Sequence, residues 1–115
     1  MIQIESILGV DAADDILSCE HIDGVMIGPY DISGSLGVPG RLDDPEVTKA
    51  CNRVIDACIR HKKSCGTQIV TPDEKNIKAA FDSGYTFVVL SSDLFLMWKW
   101  SEKMKILMSD VRKNS

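Results

Sequence analysis

Two carboxylates, Glu5 and Asp31, stand where the sequence predicts that strands end. Glu5 closes a short alternating segment that begins at Ile2, and Asp31 follows the apolar run Val25 to Ile27. Because the carboxyl ends of parallel strands meet at one edge of a sheet, these two side chains are expected to lie close together. Two carboxylates with open positions suit Mg²⁺ or Mn²⁺ completed by water or substrate. From spacing alone, however, a helix cap or a solvated loop charge is the commoner explanation of such an acid.

The segment from Gly28 to Gly40 reads GPYDISGSLGVPG and is predicted to be a long loop. Its glycines would let backbone N–H groups approach a ligand, and grouped N–H donors form anion sites. The alternative, that the glycines and prolines only shape a long turn, is equally consistent with the pattern.

Four strand-helix units in strict alternation surround these residues, which predicts a parallel α/β sheet with right-handed crossovers. The predicted strands are 2–5, 24–27, 66–70 and 85–90, and the last is an apolar run typical of a strand buried on both faces. The predicted helices are 11–19, 45 to about 62, a third that begins at a Thr71 cap with Glu74 in a capping box and ends before Gly84, and a last one from about 94 onward.

The last predicted helix carries more apolar surface than one short sheet would use. One side of it bears Leu96, Trp100, Met104, Leu107 and Val111, and Phe95 and Trp98 widen that surface. Because contiguous exposed apolar surface marks interaction sites, this helix is expected to pack on another subunit.

Composition excludes several classes of partner. The chain has 115 residues, 44% of them hydrophobic, and a net charge of −4. It is therefore one domain at most, with enough apolar residues for a core and no basic run for binding nucleic acid. It lacks the roughly 18 uninterrupted apolar residues of a membrane span and a signal segment, so no membrane partner and a cytoplasmic location are expected.

The four cysteines, Cys19, Cys51, Cys58 and Cys65, contain no CxxC pair, and no histidine lies at zinc-finger spacing. Cys51 and Cys58 fall on the apolar stripe of a predicted helix, where a free thiol behaves as a small hydrophobic group. Buried or inert thiols are therefore favoured over a zinc site or disulfides.

Several stretches together resemble the HpcH/HpaI family of class II pyruvate aldolases. They are Gln3 to Glu5, Ile22 to Ser33 and Ser35 to Gly40, followed by Pro45 to Val47 and Gly84 to Val88. The GPxDxS motif with SLGxPG after it is specific, and the remainder is ordinary α/β pattern. The resemblance covers nearly the whole chain and implies a metal-dependent (β/α)₈ barrel enzyme. Such a carbon-carbon lyase cleaves 2-keto-4-hydroxy acids to an aldehyde and either pyruvate or a semialdehyde of similar size.

The same resemblance implies roles for four residues. Glu5 and Asp31 match two carboxylate ligands of a divalent metal, Mg²⁺ or Mn²⁺ with Co²⁺ as an alternative. Gln3 matches a substrate-binding glutamine, and the backbone at Tyr30 and Asp31 matches the amides that hold the pyruvate carboxylate. The Tyr30 side chain either shapes the aldehyde pocket or packs, with packing slightly favoured. Metal stabilisation of the enolate that forms when the carbon-carbon bond breaks agrees with this arrangement.

The chain is too short for a whole barrel, which takes about 250 residues. It matches strands five to eight of the family's barrel, so residues 1–115 are interpreted as a single partial domain, the carboxyl-terminal half. The family's catalytic histidine and enolate-stabilising arginine lie in the missing half, and neither His21 nor His61 is placed to act as the base. No catalytic residue and little turnover are therefore expected of this chain alone.

Its open sheet edges predict a homo-oligomer or pairing with the missing N-terminal half-barrel. Two other functions stay open. One is a non-catalytic remnant that binds a metal or a keto acid, and the other is a CoA-ester lyase built on the same barrel.

Overall fold

The computed structural model describes residues 1–113, and four parallel strands form its single sheet. The strands lie side by side in chain order, as β1 (Ile2–Ile4), β2 (Gly24–Ile27), β3 (Ser64–Ile69) and β4 (Phe87–Leu90). The helices are α1 (Ile7–Asp11), α2 (Ala13–Leu17), α3 (Pro29–Ser35), α4 (Pro45–Arg60), α5 (Glu74–Asp82) and α6 (Asp93–Lys113). The predicted parallel α/β sheet of four strand-helix units is confirmed.

The strand register divides the sheet into two faces. Ile4 lies opposite Ile27, and both are buried beneath the helices. Side chains alternate along a strand, so the neighbouring positions point the other way. One row of that opposite face crosses all four strands as Gln3, Met26, Gly66 and Phe87. The helices therefore cover one face only, and the other face carries the polar residues of the candidate site.

Helix α4 supplies most of the helical side of the core. Asp44 is its N-cap and accepts a hydrogen bond from the Glu46 amide at 3.0 Å, with Pro45 at the first helical position. This is the start that the sequence predicts, because both features satisfy the free amides of a first turn. The helix ends at Arg60 rather than near Lys62. Its buried stripe is Val47, Ala50, Cys51, Val54, Ile55, Ala57 and Cys58.

The predicted loop after β2 is wrong, because its first half is a helix. Gly28 caps α3, Pro29 stands in its first turn and Asp31 follows there. Proline and an acidic residue are typical of the first turn of a helix. The loop was predicted because of the glycines that come later in the segment. Among the glycines from Gly28 to Gly40, Gly37 and Gly40 have positive φ angles, and they form the turn that follows α3.

Two other element boundaries and the burial of one strand differ from expectation. The single helix predicted at 11–19 is two short helices, α1 and α2. Asp73, not Thr71, caps α5, and its carboxylate accepts from the Asn76 amide at 2.7 Å. Strand β4 is half exposed rather than buried on both faces, with Leu90 53% exposed. It is an edge strand with no neighbour on its outer side in the described chain.

All four cysteines are free thiols, and Cys51, Cys58 and Cys65 are buried while Cys19 is exposed. A hydrogen bond with Cys58, together with burial, raises the pKa of the Cys65 thiol, so it stays protonated. Burial also raises the pKa of Cys51. The same hydrogen bond lowers the pKa of Cys58. The prediction of buried thiols is confirmed for these three.

An ion-pair cluster ties α2 to the end of α4. Arg60 Nη2 lies 2.7 Å from Asp14 Oδ2, and His61 Nε2 lies 3.1 Å from Asp14 Oδ1. The hydrogen bond from Arg60 lowers the pKa of Asp14. Since these side chains are solvent-exposed, the cluster orients the helices more than it stabilises them.

Helix α6 projects from the rest of the molecule. None of its residues is buried, although it contains Leu94, Met97, Trp98 and Trp100. The radius of gyration is 17.6 Å, whereas a compact chain of this length has about 13 Å. The expected apolar surface is therefore present and uncovered within residues 1–113. No helix in these residues has the length and apolar character needed to cross a membrane.

We expect Gly24→Ala to destabilise the fold by about 1–3 kcal/mol. A Cβ on this buried glycine would lie 2.8 Å from the Ser64 backbone oxygen on the paired strand, which cannot move without breaking the sheet. Denaturant unfolding followed by circular dichroism would measure the change. The control is Gly34→Ala, where nothing lies within 4 Å of the added methyl group. Equal stability of the two variants would contradict the prediction.

Candidate functional site

The pairing of β1 with β2 brings the two predicted metal ligands to one place. After the Ile4–Ile27 pair, the ladder continues with a hydrogen bond from the Gly28 amide to the Ile4 carbonyl at 3.0 Å. Glu5 therefore lies beside Gly28 at the carboxyl edge of the sheet. Asp31 lies in the first turn of α3, three residues after Gly28.

Gly28 leaves a space onto which both carboxylates converge. A methyl group there would lie 3.0 Å from Asp31 Oδ2 and 3.3 Å from Glu5 Oε1. Carboxylate oxygens are the ligands that Mg²⁺ and Mn²⁺ prefer, so this pair fits a divalent ion. No group of three or more His, Cys, Asp or Glu side chains suited to a metal occurs in residues 1–113. Other ligands would therefore come from water, substrate or another chain.

Gln3 lies next to the pair on the same face of the sheet. Its Nε2 donates to Glu5 Oε1 at 2.5 Å. A hydrogen-bond donor to a ligating carboxylate holds that carboxylate in one orientation. Gln3 therefore positions Glu5 and also lines the adjoining pocket.

The pocket has a volume of about 360 Å³ and opens at the carboxyl edge of the strands. Its lining comes from β1, β2, the start of α3, the loop after α3, the end of β3 and α6, and comprises Gln3, Met26, Ile27, Gly28, Pro29, Tyr30, Asp31, Leu42, Gln68, Val70 and Phe95. Tyr30 lines this pocket and is 64% exposed, so the described chain does not bury its side chain. Its ring contributes apolar surface to the pocket wall.

Ser33 holds the first turn of α3, which carries Tyr30 and Asp31, and it was not among the residues predicted from the sequence. This fully buried serine donates from Oγ to the Tyr30 carbonyl at 2.5 Å and accepts from the Gly40 amide at 2.9 Å. The two bonds join the start of α3 to the end of the following turn. The sequence signal that could have identified Ser33 is its position as the serine of the GPxDxS motif.

Neither histidine lies at the pocket. His61 is at the end of α4 beside Asp14, and His21 lies 3.8 Å from Glu20 before β2. Both positions are at the amino ends of the strands, away from the two carboxylates. Neither histidine is therefore placed to take a proton at this site.

Comparison with known proteins agrees with this geometry. A model of the HpcH/HpaI aldolase/citrate lyase family matches residues 1–99. The chain belongs to this family. The class II aldolases of the family depend in general on a divalent metal.

Curated relatives of this HpcH/HpaI chain include two proteins named 5-keto-4-deoxy-D-glucarate aldolase. The one from Salmonella paratyphi C is 38% identical over 94 residues, which are 82% of this chain and 36% of the relative. The one from Citrobacter koseri is 36% identical over 104 residues, which are 90% of this chain and 40% of the relative. The chain thus spans about two fifths of the length of these relatives.

Solved structures show the same partial coverage. An HpcH/HpaI aldolase from Desulfitobacterium hafniense superposes with a TM-score of 0.83 at 26% identity, covering 93% of this chain and 41% of that protein. A family protein from Burkholderia cenocepacia gives 0.82 at 27% identity, covering 96% and 42%. The interpretation of the fold as part of a (β/α)₈ barrel is confirmed.

We expect Gly28→Ala to weaken Mn²⁺ binding by at least about tenfold while the fold is kept. The new methyl group would occupy the space between the two carboxylates, and its φ of −103° suits alanine. Isothermal titration calorimetry measures the affinity and circular dichroism the fold. Gly34→Ala serves as the matched control, and unchanged Mn²⁺ affinity in Gly28→Ala would show that the ion binds elsewhere.

Proposed function

We propose that this chain supplies the metal and keto-acid part of a divalent-metal-dependent aldolase site. The reaction is cleavage of a 2-keto-4-hydroxy acid to pyruvate and an aldehyde. The observation that carries the proposal is the convergence of Glu5 and Asp31 at Gly28, on the edge of a pocket, in a chain of this family. The relatives' name specifies a keto acid as substrate, and we extend that substrate class to this chain.

In this proposal, Glu5 and Asp31 hold the ion, and Gln3 keeps Glu5 oriented through its 2.5 Å hydrogen bond. When bound, Mg²⁺, Mn²⁺ or Co²⁺ supplies positive charge beside the oxygen on which negative charge develops. The amides of Tyr30 and Asp31 lie in the first turn of α3, where helix N–H groups lack intrahelical acceptors. They hold the carboxylate of the keto acid.

The proton-transfer group is proposed to come from the segment that corresponds to strands one to four of the barrel. Residues 1–115 then form a single partial domain equivalent to strands five to eight. The coverage of about two fifths of each relative supports this division. Both histidines lie away from the pocket, so neither is placed to act as the base.

That observation also favours a second function, a module that binds a metal or a small keto acid without chemistry. One measurement distinguishes the two functions. Pyruvate release from a 4-hydroxy-2-oxo acid that is abolished by EDTA would exclude the non-catalytic function. The most decisive version mixes this chain with the N-terminal part of a full-length relative, because that part would restore the missing groups.

We expect Glu5→Gln and Asp31→Asn each to weaken Mn²⁺ binding by more than about tenfold and to abolish metal-dependent binding of pyruvate. Each change removes one of two charged ligands and keeps the size of the side chain. Calorimetric titration with Mn²⁺ and then with pyruvate measures both. Glu20→Gln is the control, since this exposed carboxylate lies before β2 at the opposite edge. Retained metal and pyruvate binding in the site variants would contradict the proposal.

We further propose that the chain does not act as a monomer. Strands β1 and β4 each have an unpaired edge within residues 1–113, and unpaired edges invite pairing with another chain. On the β4 side, Val89 and Leu90 are 42% and 53% exposed next to the uncovered helix α6. The partner that suits these surfaces is a second copy or the N-terminal half-barrel.

We expect the isolated chain to sediment as a dimer or a larger species. Trp100→Glu combined with Leu107→Glu should shift it toward monomer, because charge on the apolar side of α6 opposes burial of that side. Analytical ultracentrifugation over a range of concentrations measures the shift. Lys99→Glu on the same helix controls for the added negative charge. A wild-type chain that sediments as a compact monomer throughout would contradict the expectation.

A further inference from the structure

We infer that Gln68 selects substrates whose aldehyde part carries a hydroxyl group. Its side-chain oxygen is the hydrogen-bond acceptor at the end of the pocket away from the two carboxylates. The inference rests on the proposed function, since it assumes that a keto acid is held at Glu5 and Asp31.

The strand register places Gln68 at the level of the metal ligands. Thr67 lies opposite Ile27, so Gln68 follows in the same row as Gly28, with Glu5 one strand further on. Adjacent strands are about 4.8 Å apart, which puts the backbones of Gln68 and Glu5 about 10 Å from each other. Gln68 lines the pocket together with Gln3 and Asp31. A substrate bound over Gly28 would therefore extend toward Gln68 with its distal carbons.

One hydrogen bond determines whether the oxygen or the NH₂ group of the Gln68 side chain is available in the pocket. Gln68 Nε2 donates to the Ser91 carbonyl at 2.9 Å. A carbonyl oxygen only accepts, so the NH₂ end must face Ser91. Ser91 follows β4, and β4 lies on the opposite side of β3 from Gly28. The hydrogen bond to Ser91 therefore holds the Gln68 side chain away from the proposed metal ligands. In the described chain the amide oxygen has no hydrogen-bond partner, and it is left as an acceptor.

The anchor for this amide is rigid. Ser91 is buried, and its own amide donates to the Ile69 carbonyl at 2.8 Å. Its φ of +62° is unusual for serine and holds the backbone in a left-handed turn at the end of β4. Because the acceptor is fixed before the ligand arrives, little ordering cost opposes its use.

The surroundings make this acceptor selective. Leu42, Val70 and Phe95 line the pocket beside Gln68 and offer only apolar side chains. Gln68 is exposed in the described chain, so water can reach its amide oxygen before substrate binds. A substrate with a hydroxyl group there would replace the hydrogen bond of that water, whereas a substrate with only C–H groups would displace the water and leave the oxygen unpaired. Leaving a polar group unpaired costs more than the net gain from one hydrogen bond, so the site would discriminate between the two.

The test compares two ligands that differ by one hydroxyl group on the aldehyde part. These are 4,5-dihydroxy-2-oxopentanoate and 4-hydroxy-2-oxopentanoate, titrated by calorimetry into the full 115-residue chain in Mn²⁺. The wild-type chain is expected to bind the dihydroxy acid about 2- to 10-fold more tightly, the size of one neutral hydrogen bond. Gln68→Leu and Gln68→Met should both lose this preference and keep their affinities for Mn²⁺ and pyruvate.

Asn52→Leu is the matched control, because it makes the same kind of change at an exposed amide on α4. It should keep the preference for the dihydroxy acid. Equal binding of the two acids by the wild-type chain, or a preference that survives in both Gln68 variants, would overturn the inference and leave the proposed function standing. Reduced Mn²⁺ and pyruvate affinity in both variants would overturn it in favour of a structural role. Absence of metal-dependent pyruvate binding in the wild-type chain would overturn the proposed function and this inference with it.

Discussion

The parallel register between β1 and β2 is the constraint on which the candidate site depends. Ile4 and Ile27 lie opposite each other and are 2% and 1% exposed, so the core selects this pairing. A slip of one residue would turn Gln3 and Glu5 toward the helices and bury both polar side chains. The apolar face that stabilises the fold thus also places Glu5 beside Gly28. Stability and site geometry follow from the same alternation of side chains.

A partial barrel exposes surfaces that a closed barrel buries. Helices α1 to α5 accompany the strands, but the core lies almost entirely between β1, β2, β3 and α1 to α4. Strand β4 and helix α6 contribute no residue to that core. Their apolar side chains suit burial in a closed barrel or an assembly. The same division separates the two carboxylates proposed as metal ligands, which lie in this chain, from a proton-transfer group, which is proposed to lie on other strands.

The candidate site was partly predictable from the order of strands and motifs. That Glu5 and Asp31 would approach each other followed from two strand ends meeting at one sheet edge. The decisive space at Gly28 did not, because it depends on how α3 turns after β2. Gln68 carried no local signal at all, since GTQIV reads as an ordinary strand. Its relation to the site comes from the pairing of β3 with β2 and from the Ser91 carbonyl, which lies 23 residues away.

The sequence by itself determined the alternation of strands and helices, the start of α4 at Asp44 and the apolar stripe that this helix buries. These are local properties, since 2-residue and 3.6-residue periodicities and a first-turn cap are written in neighbouring residues. Only the tertiary structure decided that Pro29 starts a helix, that β4 is a half-exposed edge and that α6 stands uncovered. Burial depends on what lies next to an element in space. The residues that would cover β4 and α6 are not their neighbours in this chain, and for that reason local pattern could predict these elements but not their surroundings.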